Sequence, residues 1–435
     1  MFDPRSLLQP DARARFRKRL STAALGKLGP GLVTGAADDD PSGIATYSQG
    51  GAYSGYGLLW TMVLTLPLMI AIQMISALIG RVTGGGLAHN MVRVLPRSLV
   101  LAMLLLLFAA NTINVGADLA AMGEAARLVT GFEGHGLSVL FALVSMGLQF
   151  FVPYRKYSRL LMGLTFSLFA YVAVLFLVPL DWGQILTGLT GIHADLSERA
   201  ATTIVAIFGT TISPYLFFWQ SAQEVEEVGQ VPGEKPLLDD PGEAPGAIAR
   251  IRIDTIAGMV VSNLIAIAIM IATAATLHRH GITHITTAAQ AAEALKPLAG
   301  DFAFTLFALG IVGTGLLAIP VLAGSVGYAV SETMGWKTGL DNMPWQAGGF
   351  YAVIGLAMIL GLAIGYSPIN PIQALYWSAV INGLVAVPLM AAMMYVASHR
   401  MMGQFRVGPV LGTLGWLSTA VMAAAAAAMI YVSVR

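Results

Sequence analysis

Three consecutive acidic residues, Asp38, Asp39 and Asp40, precede Pro41 inside an otherwise apolar stretch near the N-terminus. If this stretch crosses a membrane, each carboxylate costs about 3 kcal/mol on insertion scales, so three in a row require water or a cation. We expect Asp40, which lies beside the proline, to be a cation ligand. For Asp38 and Asp39 two interpretations stay open: they also bind the ion, or they cap a helix end in an aqueous vestibule.

A fourth acidic residue, Asp118, lies in a later apolar stretch. Asn111, Asn114 and Asp118 are spaced i, i+3 and i+7, which places them on one face of a helix. Asp118 is either a hydrogen-bonded packing residue or a charge on the route of the ion or of protons, and the polar stripe favours the second. Asn382 is a further pathway candidate, although a polar contact between helices explains it equally well.

The composition indicates that membrane-spanning helices position these residues. Of the 435 residues, 56% are hydrophobic and only 11% are charged, and the mean hydropathy is +0.73, whereas a soluble protein has about 25% charged residues. The absence of cysteine excludes disulfides and thiolate metal sites. A net charge of +1 gives no electrostatic basis for binding nucleic acid. The sequence has no phosphate-binding loop and no nucleophile–base pair, which argues against an enzyme.

Eleven apolar blocks are long enough to cross a bilayer, which requires roughly 20 helical residues. They cover residues 29–53, 57–80, 98–127, 137–153, 158–180, 201–224, 253–277, 303–331, 348–367, 372–397 and 409–433. We therefore predict an all-α multi-pass protein with a basic N-terminal segment (1–28) and one transmembrane domain (29–433).

Basic residues concentrate before the first block and in every second short loop, which predicts a cytoplasmic N-terminus in the cell inner (plasma) membrane. Positions that decide this orientation are Arg13, Arg81, Arg93, Arg155 and Arg400. The stretch 224–252 departs from this trend because it is acidic and rich in Pro and Gly. We expect it to be a flexible cytoplasmic connection.

The first and sixth blocks are interrupted in a similar way. Asp40-Pro41-Ser42-Gly43 breaks the first block, and 209–215, which contains Pro214, breaks the sixth. Irregular backbone at membrane depth persists only where it is buried in protein or lines a cavity. Breaks at corresponding positions of two five-helix halves predict a transporter site between inverted repeats, about 29–180 and 201–397, with an extra helix at 409–433.

At these breaks the sequence resembles the NRAMP family of divalent-metal transporters. The segments that resemble the family's first, third and sixth helices are Asp40-Pro41-Ser42-Gly43-Ile44-Ala45-Thr46 followed by Gln49, Gly116-Ala117-Asp118-Leu119-Ala120, and Gly209 to Ser221. The resemblance implies the LeuT-like architecture of the amino-acid–sodium symporters, in which broken helices 1 and 6 hold the transported ion. It also makes Gln49 a pathway candidate.

The departures from the family pattern fall on the implied metal ligands. Asp40 retains the family's metal-binding aspartate, Gly43 stands where the family has an asparagine, Ser213 where it has a methionine, and Thr210 where an alanine offers its carbonyl. Carboxylate, hydroxyl, carbonyl and water ligands suit Mg²⁺ and Mn²⁺, whereas a thioether favours softer metals. Mg²⁺ keeps several of its waters in protein sites. The pattern therefore resembles the NRAMP-related magnesium transporters, a prokaryotic branch.

The residues that the family uses for proton transport are also replaced. Tyr215 stands in place of a histidine and Ala121 in place of a glutamate, and the ninth block has no arginine where the family's proton path has one. The resemblance therefore implies weak or absent proton coupling, with uptake driven by the ion gradient and the membrane potential.

We predict a secondary transporter that imports Mg²⁺ and also Mn²⁺ by alternating access, with no cofactor and no obligatory protein partner. The first alternative is a proton-coupled Mn²⁺/Fe²⁺ symporter of the main family type. A sodium-coupled amino-acid symporter is disfavoured because the acidic run would repel a substrate carboxylate. A non-transporting sensor is disfavoured because the sequence has no large soluble domain.

Overall fold

The computed structural model describes residues 29–153, 163–191, 197–230, 233–340 and 342–434, and within these ranges the regular structure is entirely helical. The α-helices are α1 Pro30–Asp38, α2 Pro41–Ser54, α3 Trp60–Thr83, α4 Leu87–Val94, α5 Arg97–Thr130, α6 Gly136–Phe151, α7 Phe169–Val174, α8 Trp182–Thr190, α9 Glu198–Thr211, α10 Pro214–Gln230, α11 Ala244–Thr276, α12 Ala288–Glu293, α13 Lys296–Ala299, α14 Ala303–Met334, α15 Gly348–Gly365, α16 Pro371–Ser398 and α17 Pro409–Val434. The predicted basic segment 1–28 and Arg155 lie outside the described residues.

Eight helical segments of the described chain are long and apolar enough to cross a membrane, and two shorter apolar helices, Gly136–Phe151 and Gly163–Val174, accompany them. Each of the eleven predicted blocks contains a helical segment among its described residues, although the breaks at 39–40 and 212–213 interrupt the first and sixth blocks. The all-helical membrane fold predicted from the hydropathy pattern is therefore confirmed.

The first break separates α1 from α2 at the acidic run. Asp39 ends α1, and Asp40 has an extended backbone (φ −69°, ψ 170°). Pro41 then occupies the first position of α2, where its missing N–H would be unpaired in any case. The Asp40 carboxylate caps α2 by accepting a hydrogen bond from Gly43 N at 2.7 Å.

The second break separates α9 from α10. Ile212 leaves the helical conformation (φ −120°, ψ 58°), and α10 starts at Pro214. The Ser213 hydroxyl lies 2.7 Å from Gly209 O and 2.9 Å from Thr210 O, so it donates its hydrogen to carbonyls that the end of α9 leaves free. Both breaks thus form where a proline follows a short polar residue.

Glycine contacts hold each half-helix against its neighbour at backbone distance. A side-chain carbon on Gly258 of α11 would lie 2.3 Å from Gly31 O of α1, and one on Gly209 of α9 would lie 2.1 Å from Ala379 O of α16. Small residues at such crossings let helices in a membrane approach closely. These close backbone contacts hold α1 against α11 and α9 against α16, and they therefore fix the positions of the two breaks.

Ion pairs connect part of the stretch 224–252, which is predicted to be a flexible connection, to the neighbouring helices. Arg250 contacts Glu224 at 2.5 Å and Glu227 at 3.1 Å, which joins the end of α10 to the start of α11. Arg81 of α3 contacts Glu234 at 2.6 Å. Three acidic residues of this stretch are therefore paired with arginines.

Candidate metal centre at the helix breaks

Asp40 is oriented by donors from two helices. Its Oδ1 accepts hydrogen bonds from Ser42 Oγ and Gly43 N, both at 2.7 Å, and its Oδ2 accepts one from Asn114 Nδ2 of α5 at 3.0 Å. The residue is only 1% exposed. A carboxylate offers about four acceptor positions and these donors use three of them, so one position, on Oδ2, remains available to a cation.

Oxygen atoms from both breaks converge on the space that a side chain at Gly43 would fill. A Cβ placed on Gly43 would lie 3.1 Å from Thr210 Oγ1, 3.3 Å from Asp38 O and 3.4 Å from Asp40 Oδ1. Mg²⁺–oxygen bonds are about 2.0–2.1 Å long. This point is only one carbon–carbon bond from Gly43 Cα, so an ion bound by these oxygens lies farther out, and the glycine leaves that approach free of a side chain.

The side chains of Asp38 and Asp39 meet at Ser262 of α11. Ser262 Oγ lies 2.5 Å from Asp38 Oδ2 and 3.1 Å from Asp39 Oδ1. The two acidic residues are 0% and 2% exposed. The interpretation of these residues as caps in an aqueous vestibule is therefore wrong: both are buried, and the capping carboxylate is that of Asp40.

Two tyrosines tie the breaks together. Tyr215 at the start of α10 donates a hydrogen bond to Ala37 O near the end of α1, at 3.2 Å. Tyr47 of α2 lies 3.1 Å, hydroxyl to hydroxyl, from Thr211 at the end of α9. The breaks are thus hydrogen-bonded to each other as well as packed together.

A model of the family described as "Natural resistance-associated macrophage protein-like" (Nramp) matches residues 31–432. The chain belongs to the Nramp family. Members of this family are transporters, so this Nramp chain is a membrane transporter and not an enzyme.

Two curated relatives of this Nramp chain are both named "Divalent metal cation transporter MntH". The protein from Yersinia enterocolitica is 30% identical over 328 residues, which is 73% of this chain and 75% of that protein. The protein from Acidiphilium cryptum is 26% identical over 400 residues, which is 87% of this chain and 84% of that protein.

Solved structures share the fold at low sequence identity. A manganese transporter of Eremococcus coleocola, in complex with an aromatic bis-isothiourea substituted compound, superposes with a TM-score of 0.70 at 18% identity, covering 93% of this chain and 85% of that one. The nucleobase–cation symporter Mhp1 superposes with a TM-score of 0.55 at 15% identity, covering 94% and 93%. The LeuT-like fold expected for this Nramp chain is confirmed.

The remaining predicted site residues of this Nramp chain occupy different environments. Gln49 accepts a hydrogen bond from Ile285 N at 2.9 Å and donates one to Thr283 O at 3.2 Å, so the loop after α11 holds its amide. Asp118 and Asn382 are completely buried, and none of their side-chain oxygen or nitrogen atoms has a hydrogen-bond partner among the described residues.

The predicted polar stripe on α5 is divided between two environments. Asn114 contacts Asp40 and accepts a hydrogen bond from Ser378 Oγ of α16 at 2.6 Å. Asn111 instead donates to Leu322 O and Ser325 Oγ of α14, at 3.0 and 2.8 Å. Side chains three residues apart on a helix point about 60° away from each other, so Asn111 and Asn114 can contact different helices.

Three residues at the site were not predicted as ligands or contacts: Asn114, Ser262 and Ser378. The signal for Ser262 was present, because Ser262-Asn263 is a polar pair in the middle of an apolar helix. Ser378 is one small hydroxyl among apolar residues, which the pattern does not distinguish from a packing residue.

No three His, Cys, Asp or Glu side chains in the described part of the chain are placed to hold one metal ion together. The candidate ligand set is therefore one carboxylate, Asp40, with neutral oxygens and room for water. Such a set consists only of hard donors.

Proposed function

We propose that this Nramp chain imports Mg²⁺, and also Mn²⁺, as a secondary transporter of the NRAMP-related magnesium transporter branch. The main support is the arrangement at Gly43, where Thr210 Oγ1, Asp38 O and Asp40 Oδ1 surround the space of a missing side chain. These three oxygens are hard donors, and the glycine leaves no side chain between them, which suits a cation that retains water.

The chemistry of Ser213 supports the same choice of ion. Its hydroxyl stands where the family resemblance places a thioether, and its hydrogen is used by carbonyls of α9. The remaining lone pairs are hard donors, which give no advantage to soft or late transition metals. Mg²⁺ and Mn²⁺ both accept such ligands.

Transport with weak or no proton coupling is the second part of the proposal. Helix α15, Gly348–Gly365, contains no basic residue, and Tyr215 holds a backbone carbonyl where the family resemblance implies a histidine. Without a histidine at the site, the driving force is the gradient and the potential. Two charges gain about 4.6 kcal/mol per 100 mV.

Import in the inner (plasma) membrane follows from the proposed orientation. Arg81, Arg93 and Arg97 lie at or between the ends of α3 and α5, and this connection is short enough for its basic residues to set a cytoplasmic location. The N-terminus would then be cytoplasmic as well.

A proton-coupled manganese transporter is the second candidate. It is favoured by the names of the relatives, since the curated proteins are called divalent metal cation transporters and the Eremococcus coleocola structure is of a manganese transporter. The site differs from the family pattern at three of its four implied ligand positions, which is why we place this function second.

The test is direct Mg²⁺ uptake by the purified full chain in proteoliposomes that contain a Mg²⁺-sensitive dye. An inside-negative potassium diffusion potential should accelerate dye response, and protein-free liposomes with the same potential serve as the control. No protein-dependent Mg²⁺ entry, together with Mn²⁺ entry that is accompanied by protons, would favour the second candidate.

A further inference from the structure

Asp118 is a completely buried carboxylate whose role the ligand set above does not explain. Both of its oxygens lack a hydrogen-bond partner within the described residues, and the structure shows no ion pair for it there. A buried carboxyl group without partners is unfavourable whether it is ionised or protonated, because either form leaves polar atoms without a hydrogen bond. The native partner of Asp118 is therefore a group that arrives from solution: water or an ion with its waters.

The position of Asp118 next to Asp40 identifies which solute that is. Asp118 follows Asn114 by one turn of α5, about 6 Å along the same face, and Asn114 donates to Asp40 Oδ2 at 3.0 Å. Asn114 therefore links the helical face that carries Asp118 to Asp40. Among the described residues, no group of three acidic or histidine side chains could bind one ion directly, and this includes any group with Asp40 and Asp118.

Asn382 presents a second unpartnered side chain at the same level. It follows Ser378 by one turn of α16, and Ser378 donates to Asn114 Oδ1 at 2.6 Å. Its neighbour Gly383 packs against Gly209, the residue before Thr210. Both side-chain atoms of Asn382 are buried without a partner in the described chain. Helix α5 contacts Asp40 through Asn114, and α16 contacts Asn114 through Ser378. Each of these helices therefore offers a hydrogen-bond acceptor one turn away from that contact.

We propose that Asp118 is an outer-sphere ligand that accepts hydrogen bonds from water molecules retained by the divalent cation at Asp40, assisted by Asn382. This inference rests on the proposed function, since it requires a hydrated ion at that site. Ionised carboxylates only accept hydrogen bonds, and water on a divalent cation is a strong donor.

This arrangement gives the site selectivity for hydrated ions. An ion that dehydrates reluctantly, such as Mg²⁺, reaches Asp118 only through its waters. An ion that loses its waters readily gains less from Asp118. Asp118 therefore favours Mg²⁺ over easily dehydrated divalent ions without touching the metal.

The probe for an outer-sphere ligand is hexaamminecobalt(III), whose six ammine ligands do not exchange and which therefore binds only through them. In proteoliposomes it should inhibit Mg²⁺ uptake by the wild-type chain. With Asp118→Asn, the inhibitory concentration and the KM for Mg²⁺ should each rise about tenfold or more, the usual effect of losing an outer-shell partner. The KM for Mn²⁺ should rise less.

Glu124→Gln is the matched control, because Glu124 lies on the same helix but binds Ala288 N, at 3.3 Å, away from the breaks. This variant should keep the wild-type inhibition. Thermal unfolding in detergent identifies variants that fail to fold. Asn382→Leu is a second variant, and its inhibition by hexaamminecobalt(III) should also be weaker than that of the wild type.

Two outcomes would overturn the inference. They are wild-type Mg²⁺ uptake that is insensitive to hexaamminecobalt(III), and unchanged inhibition in folded Asp118→Asn or Asn382→Leu. In both of these the proposed function survives, because wild-type Mg²⁺ uptake is present. Absence of wild-type Mg²⁺ uptake would instead contradict the proposed function itself.

Discussion

Asp40 combines two tasks that compete for the same carboxylate. It caps α2 through Gly43 N, and it is the acidic side chain that faces the oxygens of Thr210 and Asp38 across the Gly43 space. Its three donors, from Ser42, Gly43 and Asn114, leave it oriented before an ion arrives. A preoriented ligand loses less entropy on binding, which favours metal affinity.

Replacing Asp40 with asparagine tests this assignment while keeping the volume of the side chain. We expect Mg²⁺ uptake to fall by at least about tenfold, because loss of a charged interaction costs about 1.5–3 kcal/mol and 1.4 kcal/mol corresponds to a factor of ten. Uptake rates in proteoliposomes, normalised to inserted protein, measure the effect. Asp301→Asn, at an exposed position, is the control, and equal rates for both variants would refute the site.

Ser213 tests the proposed preference for hard ions. Ser213→Met adds a soft thioether at the break, and we expect the ratio of Cd²⁺ to Mg²⁺ affinity to rise about tenfold, or about 1.4 kcal/mol. Inhibition of Mg²⁺ uptake by Cd²⁺ measures this ratio. Ser213→Leu has a side chain of similar size without sulfur. If both variants respond equally to Cd²⁺, the residue at 213 does not face the ion.

The acidic run and the prolines could be assigned to a site from the sequence because charges in an apolar stretch are conspicuous. The sequence singled out Asp40, beside Pro41, but left the roles of Asp38 and Asp39 open, since those depend on which carboxylate caps α2 and which ones meet Ser262. It also gave no reason to separate Gln49, which a loop holds, from residues at the breaks.

Helices α1 and α11 illustrate why element boundaries are harder to predict than element existence. The hydropathy pattern starts the seventh block near residue 253, whereas α11 starts at Ala244. The charged residues in this first part have partners that hydropathy does not detect. Arg250 pairs with Glu224, and Asp254 accepts hydrogen bonds from Gly31 N at 2.6 Å and Leu32 N at 3.3 Å.

The contact between α1 and α11 sets the position of the first break. With Gly258→Ala, the new methyl group would lie 2.3 Å from Gly31 O, and backbone cannot yield as a side chain does. We expect destabilisation of about 1–3 kcal/mol, typical of overpacking, and slower Mg²⁺ uptake because α1 carries the Asp38 carbonyl. Thermal unfolding in detergent measures the first effect.

Gly246→Ala is the control for this prediction, since it lies on the same helix and a Cβ there meets nothing within 4 Å. Alanine is a better helix former than glycine, so this variant should be as stable as the wild type or slightly more stable. Equal unfolding temperatures for the two alanine variants would show that α1 has room to move away from α11.

At the scale of the whole molecule, composition alone predicted the membrane-embedded, all-helical architecture. The reason is physical: backbone polar groups in lipid must be paired within helices, so long apolar blocks have one structural solution. The two broken helices were predictable for the same reason, because proline and polar residues at membrane depth require a buried site. The contacts that join the breaks, such as Tyr215 with Ala37 O, depend on the packing of distant segments and have no local signature.

The central claim is that one site, made of hard oxygen ligands, takes Mg²⁺ and Mn²⁺ without moving protons. Mn²⁺ flux into proteoliposomes, recorded together with internal pH while external Mg²⁺ is raised into the millimolar range, tests it most directly. We expect Mg²⁺ to inhibit Mn²⁺ entry progressively and the internal pH to stay constant. Mn²⁺ entry that resists Mg²⁺ and acidifies the interior would contradict the claim and support a proton-coupled manganese transporter.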